Sequence, residues 1–218
     1  MLELFVPLLR GTVLTAEIAF LSSLAAIIIG VPMGLAKLSS FWPLRAFAIA
    51  YIEFFRGSSL LVQLFWLFFV LPHFGVFLTP FTVGVLGIGL NTAAYGAEIV
   101  RAGIQAVPRG QWEAAIALNL SPITRMRRII LPQAAVIMLP PWGNLLIELL
   151  KATALVSLIT LHDLTFIGNQ LNNITFKTTE IFGLVLAIYY VMGRFTLAPF
   201  FRWLEFYFNR GIMMRGKD

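Results

Sequence analysis

Uninterrupted apolar runs constrain this chain more than any other feature of its sequence. A helix that crosses a bilayer needs about 20 mostly apolar residues. Five stretches qualify, at about 12–36, 46–71, 81–106, 129–150 (reaching toward 160) and 181–206. In hydrocarbon a segment must satisfy its own backbone, so such runs fold as helices; a membrane barrel would show alternation over about ten residues instead. Composition agrees. Charged residues are 12% of the 218, where a soluble domain carries about a quarter, so there is too little charge to cover a water-facing surface. The expected fold is an all-α integral membrane domain over 11–208, followed by a short basic tail at 209–218. Cysteine is absent, which excludes disulfides and thiolate metal sites. The first run opens with Glu3 and has Arg10 as its only early positive charge, unlike a cleaved signal peptide, so it reads as a retained helix.

The basic residues set the expected orientation. Lys37 and Arg45 lie between the first two runs; Arg101, Arg109, Arg125, Arg127 and Arg128 lie around the loop between the third and fourth; Arg202, Arg210, Arg215 and Lys217 lie at the C-terminal end. The opposite side holds only Arg10 and Lys177, and Arg56, Lys151 and Arg194 fall within spans. Cytoplasmic loops carry the excess of Lys and Arg, which places the N-terminus outside and the C-terminus inside. The net charge of +6 is therefore a topology signal and not a nucleic-acid footprint.

The loop over 107–128 is unusually long for this chain. Pro108 suits a helix start, and Glu113, Ala114, Ala115, Ala117 and Leu118 favour helix. Asn119 tolerates the left-handed turn that closes a helix. Ser121 and Pro122 then read as the cap and first residue of a second helix, and Pro132 is expected to bend or break it at the membrane. Trp112, Ala115, Ile116 and Asn119 fall on one side of the first helix. Such a face fits either a partner's groove or the lipid interface.

The motif Glu113-Ala114-Ala115, then Asn119 after three residues and Ile129-x-Leu131-Pro132 after nine more, resembles the EAA motif of ABC importer permeases, with Asn119 where that family has glycine. Asparagine replaces glycine at positive φ better than other residues do. The resemblance runs over roughly 11–208 and points to the polar-amino-acid branch of type I importers, the histidine, glutamine, glutamate and arginine permeases. Tyr51 to Leu64 is similar to that branch's YxExxRGTPLLVQL stretch, with Ser58-Ser59 in place of Thr-Pro. Asn91 to Arg101 resembles AAYxAEIxR, and Lys151 to Leu155 resembles KDTSL, with Ala152 and Ala154 in place of Asp and Ser. Permeases for compatible solutes such as ectoine look similar at these departures.

The resemblance implies a multi-pass subunit of the bacterial inner membrane that binds no cofactor itself. Its expected partners are ABC ATPase subunits that use ATP and magnesium, a second permease (a copy or a paralogue), an extracytoplasmic solute-binding protein and the bilayer. The ATPase is expected on Arg109, Gly110, Gln111, Trp112, Glu113, Ala114, Ala115 and Asn119, with Leu131 and Pro132 carrying movement into the fourth span. No G-x-x-x-x-G-K-[ST] loop occurs, so the chain has no phosphate cradle of its own.

A charge at bilayer depth is costly unless it is paired or wet, and so marks function. Glu53 with Arg56, Glu98 with Arg101, and Glu148 with Lys151 stand three apart, a spacing that permits pairing within one helix. Pro140, Pro141 and Gly143 are expected to disturb the fourth span beside Lys151. Glu53, Arg56, Asn91, Glu148 and Lys151 are the candidate substrate pathway, with Arg56 and Lys151 for a carboxylate and Asn91 as amide donor. His73 and His162 read as solvated loop residues. Two rivals are weaker. A gradient-driven transporter leaves the long loop unexplained and would show repeats. An intramembrane enzyme would need a catalytic motif, and there is no H-E-x-x-H or G-x-S-x-G.

Overall fold

The computed structural model describes the backbone of residues 2–215 and the side chains of 5–204, 206 and 207. Within that range every regular element is helical. The order is α1 (Leu2–Lys37), α2 (Trp42–Gly57), α3 (Leu60–Phe65, continued by a π turn and a 3-10 turn to Phe74), α4 (Pro80–Gln105), α5 (Arg109–Ala117), α6 (Pro122–Arg125), α7 (Leu131–Ala152), α8 (Leu164–Thr175), α9 (Thr178–Val191) and α10 (Ala198–Arg215). A π turn, Met126–Ile130, joins α6 to α7, and another, Met192–Leu197, joins α9 to α10. Helix thus runs through the expected basic tail as far as Arg215; residues 216–218 lie outside the described residues.

Four helical stretches are long and apolar enough to cross a membrane: Phe5–Lys37, Pro80–Gln105, Pro122–Ile159 and Thr178–Leu204. They overlap the first, third, fourth and fifth expected spans. The second expected span, about 46–71, is not one straight helix. It is α2 and α3 bent by 101° at Ser58-Ser59. The reason is local. Gly57 weakens the end of α2, and Ser58 and Ser59 adopt extended backbone (ψ 155° and 131°), which cannot continue a helix.

The centre of the fold is α4, buried over 67% of its most apolar stretch, against 11% for the final span. Its small residues allow close approach. Gly30 and Gly34 of α1 form a G-x-x-x-G pair that meets Ala93 and Ala97 of α4. A Cβ added at Gly34 would lie 2.6 Å from the Ala97 carbonyl oxygen, and one at Gly30 2.9 Å from that of Ala93. On the other flank of α4, Gly96 leaves room for the Trp142 ring and Gly103 for Met138, both from α7. With no hydrophobic drive between helices in lipid, this packing and a few hydrogen bonds hold the bundle.

Three prolines behave differently from the sequence expectation. Pro132 does not break its helix: the π turn Met126–Ile130 immediately precedes it, and its widened ladder accommodates a residue with no N–H. Pro140 and Pro141 sit inside α7, which continues without interruption to Ala152. No apolar run announces α8. Asp163 begins it: its carboxylate accepts from the Thr165 and Phe166 N–H groups at 3.1 and 2.9 Å. The Leu164 N–H donates to Thr15 Oγ1 at 3.1 Å, which fixes α8 against α1 where Gly11 leaves space.

Candidate functional site

The loop between α4 and α7 is a helical hairpin. α5 starts after Pro108 and ends in a closed turn: Asn119 N–H donates to the Ile116 carbonyl at 2.8 Å and Leu120 N–H to that of Ala115 at 3.1 Å. Asn119 itself has φ 53°. That is the left-handed closing geometry asparagine permits. Ser121 Oγ then accepts the Thr124 N–H at 3.3 Å, capping α6 with Pro122 in its first turn.

This hairpin is anchored. Ala115 is buried, Trp112 packs on the core, and the Arg125 guanidinium lies 5.8 Å from the Trp112 ring centre. Gln133 Nε2 donates to Gln111 Oε1 at 3.1 Å, tying α7 to α5. The side expected to present Trp112, Ala115, Ile116 and Asn119 together is therefore divided: the first two turn inward, while Ile116 and Asn119 face outward. Arg109, Gly110, Gln111, Glu113 and Ala114 are also exposed, and Leu131 and Pro132 are half-buried at the start of α7. Ile116, Leu118 and Ile123 are 58%, 73% and 71% exposed, an apolar tip on a charged loop.

In the spans the charged pairs sort differently from their spacing. Glu98 accepts from Lys37 of α1 and from Arg101 at 2.9 Å, and Arg101 also donates to Gln105 Oε1 at 2.6 Å. Lys37 ties α1 to α4, a link that spacing within α4 does not reveal. Glu53 and Arg56 form no ion pair; the Arg56 guanidinium instead lies 5.3 Å from the ring centre of Tyr95 on α4. Glu148 and Lys151 form none either, and both are exposed on the same open side of α7 as Asn144. An open cavity of about 380 Å³ lies between α4 and α7, lined by Glu98, Arg101 and Pro141 among others.

Asn91 lies behind this surface. Its Nδ2 donates to the Phe55 carbonyl at 2.9 Å and to Gln63 Oε1 at 3.1 Å. Gln63 Nε2 donates to the same carbonyl at 3.0 Å and to Ser58 Oγ at 2.7 Å. The two amides thus satisfy the end of α2 where the chain breaks, and clamp the bend onto α4. Sequence reasoning passed over Gln63; its signal was an uncharged polar residue inside an apolar run.

Asp163 is fully buried outside the spans, and burial pushes its carboxyl above the usual 3.8 while the capping N–H groups pull it back. No group of three or more metal-ligating side chains exists among the described residues.

Comparison with known proteins gives the same reading from outside. The family model for "Binding-protein-dependent transport system inner membrane component" matches residues 26–209. The chain is 46% identical over 205 residues to the "Probable amino-acid ABC transporter permease protein y4tF" of Sinorhizobium fredii, covering 91% of this chain and 86% of that one. It is 39% identical to the "Probable amino-acid ABC transporter permease protein YckA" of Bacillus subtilis, covering 88% and 84%. Among solved structures, an amino acid ABC transporter crystallised with histidines superposes with TM-score 0.88 at 38% identity, covering 94% of this chain and 95% of the other. The chain therefore belongs to the binding-protein-dependent inner membrane transport components, and within them to the amino-acid ABC transporter permeases.

Proposed function

We propose that this permease forms half of the translocation path of an importer for a polar amino acid or related zwitterion and is driven through the α5–α6 hairpin. On this reading the N-terminus is outside, the C-terminus inside, and the chain spans the bacterial inner membrane. Two ATPase subunits, each using ATP and magnesium, dock on Arg109 to Asn119 of two permeases, and a solute-binding protein delivers cargo from outside. Closure of the ATPase pair draws the hairpins together and rocks the spans between two states, the ligand biasing a two-state element through differential contacts.

The observation that carries this is the hairpin itself. It exposes Ile116, Leu118 and Ile123 at its tip, yet is fastened to α7 through Gln111–Gln133 and braced within itself through Trp112–Arg125. An exposed apolar tip on a fastened base suits a lever that must bind a partner and transmit its motion. Deletion of 109–120 tests it: the ATPase should no longer co-purify and uptake should cease. Uptake that survives the deletion rejects the reading.

For the solute, the reading is that Arg56 and Lys151 receive the carboxylate, with Glu53 nearby for a cationic group and Glu148 lining the path beside Lys151. Asn91 acts behind them by holding the α2–α3 bend. The departures at Ser58-Ser59, Ala152 and Ala154 leave room for a compatible solute such as ectoine. Unchanged uptake by Lys151→Met in a normally assembled complex rejects this assignment.

A further inference from the structure

Arg194 is a cation within the last span that the proposed transport path does not use. It lies in the π turn Met192–Leu197, its side chain is exposed, and it has no ion pair or hydrogen bond among the described residues. Short π turns inside helices occur often at functional sites. An ionisable residue at membrane depth is a candidate functional site whose partner must be named, because a bare guanidinium against lipid is costly.

Its depth follows from its neighbour. A Cβ at Gly193 would lie 3.9 Å from both Ile147 Cγ2 and Leu150 Cδ2 of α7. Arg194 therefore sits level with the stretch of α7 that contains Glu148. Glu148 is likewise exposed and without an ion pair. It is held away from Arg194 within the chain, since the face of α7 that meets the last span carries Gly143 (against Phe201), Ile147 and Leu150, and Glu148 is turned well off that face. Two opposite charges are thus stranded at one depth on a surface where the last span is only 11% buried.

We infer that Arg194 of one permease pairs with Glu148 of a second copy of this chain, and reciprocally. The inference rests on the permease reading above. A two-fold axis along the membrane normal preserves depth, so charges level with each other in one chain meet level across the axis. Such an interface is isologous, so the contact occurs twice. Each pair neutralises a guanidinium that would otherwise face lipid, and arginine's planar fork matches a carboxylate.

The chain has no cysteine, so introduced cysteines report alone. Two differently tagged full-length copies, one Arg194→Cys and the other Glu148→Cys, are co-expressed with the ATPase and treated in membranes with a bifunctional maleimide whose reach matches an Arg–Glu pair. A cross-linked band carrying both tags is expected. Its absence, while the unsubstituted chain still binds the ATPase, overturns the contact and leaves the permease reading standing. Loss of ATPase binding by the unsubstituted chain instead overturns the permease reading. Charge reversal gives a second test: Arg194→Glu or Glu148→Arg alone should lower the yield of assembled two-permease complex about tenfold or more, and the double variant should recover most of it. A double variant as poor as the singles overturns the pair, as does a chain that assembles only with a different permease.

Discussion

Asn91 Nδ2 donates to Gln63 Oε1 at 3.1 Å across 28 residues of sequence, and both amides share the Phe55 carbonyl. This contact converts a helix break inside the apolar region into a satisfied structure. The carbonyl at the end of α2 has no helical donor once the backbone extends at Ser58, and an unsatisfied group there costs a few kcal/mol. Asn91→Leu and Gln63→Leu should each lower the thermal stability of the purified permease by about 1–3 kcal/mol. Their effects should be non-additive, with a coupling of about 0.6 kcal/mol or more in a double-mutant cycle. Additive losses would show that the two amides act independently.

Close packing of α1 on α4 should tolerate no added methyl group. Gly34→Ala places a carbon 2.6 Å from the Ala97 carbonyl oxygen. The helices must then separate, at about 1–3 kcal/mol. Gly183→Ala in α9 is the matched control, since nothing lies within 4 Å of a Cβ there. It should be neutral or slightly stabilising. Thermal unfolding of the two variants in one detergent checks the contrast.

Asn119 holds φ 53° at the turn between α5 and α6. Asn119→Gly should preserve the hairpin. Asn119→Ala should lose about 1 kcal/mol, because alanine keeps a Cβ that disfavours this conformation and lacks the short polar side chain that offsets it in asparagine. If ATPase docking depends on the hairpin, the amount of co-purified ATPase should follow the same order, with the glycine variant equal to the parent. An alanine variant as stable as the glycine variant would mean that the turn's backbone is set elsewhere.

Asp163 gives a pH dependence of known sign. Its folded-state value is raised above 3.8 chiefly by burial. The folded protein therefore holds the proton more tightly than the unfolded chain does. Stability from this group is full below the ordinary carboxylate value and is lost as pH rises through the raised one. Asp163→Asn keeps an oxygen to cap α8 and removes the titration. Melting temperature against pH, measured upward from below the ordinary carboxylate value, should show a decline in the parent that is smaller in the variant.

What the sequence by itself determined was the membrane class, the approximate positions of four spans, and the hairpin with its turn at Asn119. These depend on local facts: runs long enough to cross a bilayer, caps at Ser121, and the tolerance of asparagine for positive φ. Motif spacing along 113–132 carried the family as well. The second span failed as a straight helix because hydropathy records solvent preference and not direction; Ser58 and Ser59 turn the chain by 101° without interrupting the apolar signal. The partners of charged and polar side chains were decided only in three dimensions. Spacing within one helix offers Arg56 to Glu53, but the fold brings Tyr95 to it; spacing offers Glu98 to Arg101, and the fold adds Lys37 from 61 residues away. A pattern of three or four residues describes neighbours on one helix, whereas helix crossings set by glycine and alanine contacts choose the neighbours between helices, and it is those crossings that turn Asn91 inward as a clamp.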